Sequence, residues 1–284
     1  VFVHGTFSNP AWWAEMLNTL RGDPILQQRY QFWVFLYNSS APIVASAADL
    51  RDALRSKIAQ FDPEGKVPAL REIVVVGHSQ GGLLTKLTAV DTGDSLVFAL
   101  TGKDLNSLDL PKERKAEARR LLVVEPVAEV SRVVFISTPH RGSILSKQWV
   151  RTLIRKIVTL PARIFDTNLR LHDYYTEDVK KMLGSSVGPT SIDGMSPASP
   201  ILKTLAGTPL APGVVGHSVI AVKGGGEPKL GNDGVVAYTS AHLDGMKSEF
   251  IIRSGHSSQA HPFTIEEVRR ILLEHLGTQA TSTQ

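Results

Sequence analysis

The chain has 284 residues, with 31 basic and 27 acidic side chains and a formal net charge of +4. Hydrophobic residues make up 42% and charged residues 20%, which supplies a sizeable core and excludes a disordered, collagen-like or coiled-coil chain. The charge excess is small and dispersed, so nucleic acid is not an expected partner. The absence of cysteine excludes disulfides, thiolate metal sites and cysteine nucleophiles.

In chain order, Val1-Phe2-Val3 reads as a short strand ending in His4-Gly5. The chain opens inside that strand, so residues are expected upstream, any targeting signal among them. A helix begins at Pro10, after Ser8 and Asn9 as cap candidates, with Trp13, Met16, Leu17 and Leu20 on one face. Phe32 to Tyr37 reads as a buried strand, and Ala47 to Phe61 as a helix with Leu50, Leu54, Ile58 and Phe61 at helical spacing. Ile73 to Val76 is a β-branched strand ending in Gly77, followed by a helical stripe of Leu83, Leu84, Leu87 and Val90. The charged stretch Lys112 to Arg120 fits a solvated helix face. Further strands are read at Val133–Ile136, Val219–Val222 and Phe250–Ile252, with a last helix through Ile265, Val268, Ile271, Leu272 and Leu276. Apolar strands alternating with amphipathic helices predict one α/β domain over residues 1–284, with a mostly parallel sheet covered on both faces.

Two segments, 92–132 and 143–216, interrupt this rhythm, and the longer one, 143–216, reads as a lid-like or cap-like insertion. Its first part carries Lys147, Arg151, Arg155, Lys156 and Arg163 and no acidic residue up to Phe165. Trp149, Val150, Leu153, Ile154, Ile157 and Val158 recur at helical spacing on a broad apolar face. A docked helix with a solvated basic face accounts for this pattern. So does a lid whose apolar residues, Trp149, Leu153 and Ile157 among them, cover substrate and whose cations meet an anionic membrane surface transiently.

The motif that carries chemistry is Gly77-His78-Ser79-Gln80-Gly81, a G-x-S-x-G pentapeptide between a strand and a helix. This setting forces the serine into a sharp turn, and the flanking glycines let strand and helix approach without a Cβ clash. A serine hydroxyl is a weak nucleophile until a base takes its proton and a third group orients that base. In a strand–turn–helix arrangement of this kind the acid follows a late strand and the histidine follows the last. Asp233 and His256 occupy those places; Asp244 and His261 are their rivals. Two backbone N–H donors are needed for an oxyanion, one from Gln80 and one from the loop after the first strand, at Thr6 or, second, at Phe7. His4 and His78 read as buried structural histidines. Gly224-Gly225-Gly226 is followed by no Lys-Ser/Thr in phosphate-loop spacing, and no His-Glu-x-x-His pattern occurs.

Taken together, Phe2-Val3-His4-Gly5-Thr6, Gly77 to Gly82, Ser137-Thr138-Pro139-His140-Arg141-Gly142, Asp233-Gly234-Val235-Val236 and Gly255-His256-Ser257 resemble the α/β-hydrolases of the serine lipase/esterase kind. Bacterial lipase-like and GPI-deacylase-like members are nearest in pattern. The blocks span most of the chain in the family's order. The resemblance implies Ser79 as nucleophile, His256 as base, Asp233 as orienter and further strands upstream of Val1. It implies a small-molecule or lipid ester as substrate and no cofactor, while the signal region expected upstream leans toward a bacterial extracytoplasmic or envelope-associated place. Many calcium-dependent lipases carry Asp two residues after the catalytic histidine. Here Ser258 stands there, so no metal is expected. An acyltransferase using the same triad, and a silent hydrolase fold used for binding, are the alternatives.

Overall fold

The computed structural model describes residues 1–143, 173–183 and 195–277. Six strands form one sheet: β1 (Phe2–Val3), β2 (Val34–Phe35), β3 (Ile73–His78), β4 (Val130–Ile136), β5 (Val215–Ala221) and β6 (Ser248–Ile252). Their order is β2-β1-β3-β4-β5-β6 and every pairing is parallel. Parallel neighbours need crossovers, and helices supply them. The helices are α1 (Ala14–Gly22), α2 (Pro24–Arg29), α3 (Ile43–Phe61), α4 (Gln80–Lys86), α5 (Ser95–Thr101), α6 (Lys112–Leu122), α7 (Glu177–Leu183), α8 (Pro200–Gly207), α9 (Tyr238–Ala241) and α10 (Pro262–His275).

Strand alternation divides the core in two. Val75 of β3 and Val133 and Phe135 of β4 face Leu50 and Leu54 of α3, Leu83 and Leu84 of α4, and Leu202 and Leu205 of α8. Val74 and Val76 of β3 and Val134 and Ile136 of β4 face Met16 and Leu20 of α1 and Val268 and Ile271 of α10. A strand buried on both faces has no polar side, which is why Ile73–Val76 of β3 and Val133–Ile136 of β4 read as unbroken apolar runs. The register pairs Val3 with Gly77, His78 with Ile136, Ile136 with Val219, and Ala221 with Ile252. The C-terminal strand ends therefore line one edge, and the loops that leave them meet there.

Three elements differ from the sequence reading. Only Val34–Phe35 of the Phe32–Tyr37 run pairs as strand, because its partner β1 offers two residues before the chain turns, and Leu36 is exposed. The helix at Pro10 opens as a 3-10 turn, Pro10–Trp13, with the Asn9 side chain accepting from the Ala11 N–H, before α1 takes over. The end of segment 143–216 is not an excursion: α8 buries Leu202 and Leu205 in the main core and β5 starts at Val215. Trp149, Leu153 and Ile157 lie outside the described residues. Among the described residues no helix is long and apolar enough to cross a membrane.

Candidate active site

Ser79 sits between β3 and α4 with φ 54° and ψ −126°, a left-handed turn that a non-glycine residue holds only when its surroundings fix it. The surroundings are tight. A Cβ at Gly77 would enter Thr85 and the Gly81 carbonyl, and one at Gly81 would enter the Val3 and His4 carbonyls. The Ser79 N–H donates to the Ile136 carbonyl at 2.9 Å, which ties the turn to β4.

His256, in the loop after β6, and Asp233, in the loop after β5, reach this turn from the other half of the sheet. His256 Nε2 lies 2.8 Å from Ser79 Oγ, and His256 Nδ1 lies 2.7 Å from Asp233 Oδ2. A carboxylate only accepts, so Nδ1 carries the ring proton and Nε2 is left to accept from the serine hydroxyl. Asp233 is 1% exposed, and its second oxygen accepts from the N–H groups of Val235 (2.8 Å) and Val236 (2.7 Å). These two bonds hold the carboxylate plane and supply partners for a charge that would otherwise be costly to bury.

The rivals are engaged elsewhere. His261 caps α10, its Nδ1 accepting from the Phe263 N–H at 3.3 Å. Asp244 has a 92% exposed side chain and faces His242 Nε2 at 3.3 Å.

The loop after β1 lies against the start of α4. A Cβ on Gly5 would come 2.9 Å from Ser79 Cβ, and the Thr6 hydroxyl donates to the Gln80 side-chain oxygen. The Phe7 N–H is taken by Ser39 Oγ at 3.1 Å, whereas the Thr6 N–H has no acceptor among the described residues. Gln80 is the first residue of α4, so its N–H has no intrahelical acceptor. Thr6 and Gln80 are thus the open pair beside Ser79, and Phe7 is not.

His78 does more than fill space. Its Nε2–H donates to the His256 carbonyl at 2.8 Å, and burial pushes its pKa down to about 3, so the ring stays neutral. The same carbonyl accepts from the Ser258 N–H at 2.8 Å. Ser258 is fully buried, its hydroxyl 2.8 Å from Ser137 Oγ. The position that carries a carboxylate in calcium-dependent lipases here locks the His256 loop to the end of β4. The pattern G-x-S-x-G marks His78 only as the residue before Ser79, so its bond across 178 positions has no signal in the sequence. Among the described residues no group of three or more His, Asp or Glu side chains is disposed to hold a metal ion.

No curated protein matches this sequence. Solved structures do resemble it in fold. BlEst2, a lipase of Bacillus licheniformis in its mature form, is 16% identical over 96% of this chain and 90% of its own, with a TM-score of 0.51. EstA from Clostridium botulinum is 12% identical over 98% and 87%, with a TM-score of 0.54. At such identities the likeness is one of fold alone. The family model for the alpha/beta hydrolase family matches residues 1–268, nearly the whole described fold. With its parallel sheet and its serine at a left-handed strand–helix turn, the chain belongs to the alpha/beta hydrolase family.

Proposed function

We propose that the protein hydrolyses carboxylic esters through an acyl-enzyme on Ser79. The observation that carries this reading is the hydrogen-bonded chain from Asp233 through His256 to Ser79, at 2.7 and 2.8 Å, ending on a strained serine. Ser79 Oγ attacks the ester carbonyl as His256 Nε2 takes its proton. Asp233 holds the ring in the reactive tautomer and stabilises the imidazolium. The N–H groups of Thr6 and Gln80 receive the oxyanion. His256 then protonates the departing alkoxide, activates water, and returns the proton to Ser79 as the acid leaves. No step needs a cofactor.

The substrate is a small-molecule or lipid ester. The basic amphipathic segment with Trp149, Leu153 and Ile157 is proposed to cover the acyl group and to touch anionic lipid surfaces. The sequence places Arg151 and Arg155 on its polar side.

A fluorophosphonate probe should label Ser79, and Ser79→Ala should lose p-nitrophenyl ester hydrolysis by several orders of magnitude. Labelling at another residue, or full activity in the variant, refutes the assignment. For the lid, Arg151→Glu with Arg155→Glu should lower the rise in rate on anionic vesicles and spare a short soluble ester. An unchanged rise removes that part of the proposal.

A further inference from the structure

A cavity of about 530 Å³ opens on the α4 and α8 side of the sheet, next to the connection from α9 to β6. Thr6, Ser79, Gln80, Asp233 and His256 take no part in its lining. Its walls bring three cations, Lys86, Arg141 and Lys203, against one carboxylate, Asp244, which already faces His242 at 3.3 Å. Among the described residues none of the three cations has a carboxylate within salt-bridge distance.

Lys86 is the unusual member. It lies at the end of α4, is 2% exposed, and its ammonium donates to the Leu205 carbonyl at 2.6 Å. An ammonium has three N–H donors. One carbonyl leaves the other two without an acceptor among the described residues, and burial of a cation without a counter-ion is costly. Burial, with Arg141 close by, pushes the Lys86 ammonium down to about 8. The neighbouring His140 is buried and held neutral, so it offers no negative charge. Arg141 is fixed at the rim by the Thr239 and His242 carbonyls, and Lys203 is exposed on α8. Apart from Thr208, whose hydroxyl donates to the Thr204 carbonyl, the rest of the wall is apolar, with Leu202, Leu210, Leu243 and Met246. A few charged groups set in an apolar wall, in a cavity of this size, is the usual make-up of a small-molecule site.

We propose that this cavity binds an alkyl carboxylate at a site separate from Ser79, with the head group on Lys86 in the field of Arg141 and Lys203 and the chain over Leu202, Leu210, Leu243 and Met246. The head group supplies the counter-charge that Lys86 lacks among the described residues. The apolar wall distinguishes this ligand from a free inorganic anion. The proposal needs no turnover and does not depend on Ser79 being a nucleophile.

Calorimetric titration of decanoate, below its micelle concentration, into the Ser79→Ala protein tests it. A saturable site is expected. Lys203→Glu, at an exposed position that does not threaten the fold, should weaken binding about fivefold through charge reversal beside the head group. Lys86→Met, checked for an intact melting transition, should weaken it about tenfold or more through loss of a charge-assisted contact. Decanol and inorganic phosphate should each bind at least about tenfold more weakly, because each lacks half of the recognised ligand. Absence of saturable binding overturns the proposal. So does equal affinity for decanol or phosphate, or an affinity for decanoate that Lys203→Glu leaves unchanged.

Discussion

Lowering the pH should cost this fold stability through a histidine far from Ser79. His217, on β5, is fully buried. Its Nε2 accepts from Arg132 Nη1 at 2.6 Å and its Nδ1–H donates to Ser248 Oγ at 2.7 Å. Burial and the Arg132 charge push its pKa from 6.5 down to about 4. The sign follows from linkage. The unfolded chain takes up this proton near pH 6.5 and the folded protein near 4, so the unfolded state gains protons first and stability falls as pH falls through that window. The full difference corresponds to roughly 3 kcal/mol, of which about 2 kcal/mol is spent between pH 7 and 4.5. Other groups titrate there too, so the measurement is a difference of differences. Urea unfolding of the wild type and of His217→Gln, each at pH 7 and 4.5, should show a drop smaller by about 2 kcal/mol in the variant, which cannot protonate at this position. Equal drops in the two proteins would mean that His217 is not held neutral by its burial and by Arg132, and the assignment fails.

Other outcomes follow from the site. Asp233→Asn should lower kcat for a soluble ester by about four orders of magnitude, with the unfolding midpoint little changed, because the amide favours the wrong ring tautomer. His78→Ala should lower kcat about tenfold or more with KM within about twofold, since His78 positions the His256 backbone and does not touch substrate. His78→Asn, which keeps a donor, should recover part of that loss, and an unchanged kcat in both variants removes the positioning role. Dialysis against EDTA should leave activity and Tm nearly unaltered, because the Ser258 hydroxyl is committed to Ser137. A loss restored by calcium refutes this.

Legibility in the sequence followed burial. Ile73–Val76 reads as strand because both of its faces are covered, and the pentapeptide after it marks the elbow by local chemistry alone. Asp233 and His256 stand out in the sequence only by their places after late strands, and the fold brings both to Ser79. The Phe32–Tyr37 run misleads because its apolar residues serve other contacts: Phe32 lies 6.1 Å from the Phe2 ring and Trp33 lies 6.0 Å from Phe61, centroid to centroid. The proline- and glycine-rich composition before Gly216 masks α8, although Ser199, whose side chain accepts from the Leu202 N–H, and Pro200 at the first helical position are an ordinary helix start. The bonds of His78 to His256 and of Ser137 to Ser258 span 178 and 121 positions, and no periodicity reports contacts of that kind.

Backbone strain in this fold is concentrated where the chemistry is proposed. Among the described residues, Phe7, Ser79 and Ser137 are the non-glycine residues with positive φ, at 54°, 54° and 47°. Each lies just past the C-terminal end of a strand, β1, β3 or β4, on the edge where Asp233 and His256 arrive. Conformations of this kind cost roughly 1–3 kcal/mol each and persist only where neighbours over-determine them. The neighbours are identifiable. Ser39 holds the Phe7 N–H, Ile136 holds the Ser79 N–H, and Val219 holds the Ser137 N–H at 2.9 Å. The consequence differs at each position. At Ser79 the turn aims the hydroxyl at His256. At Phe7 it leaves the preceding Thr6 N–H open beside Gln80. At Ser137 it brings the hydroxyl to Ser258 and fixes the loop that carries His256. Ser79, the Thr6 N–H beside it and His256 are therefore each set by a separate strained residue, so relaxing any one of them should misplace one of the three while the other two stay where they are.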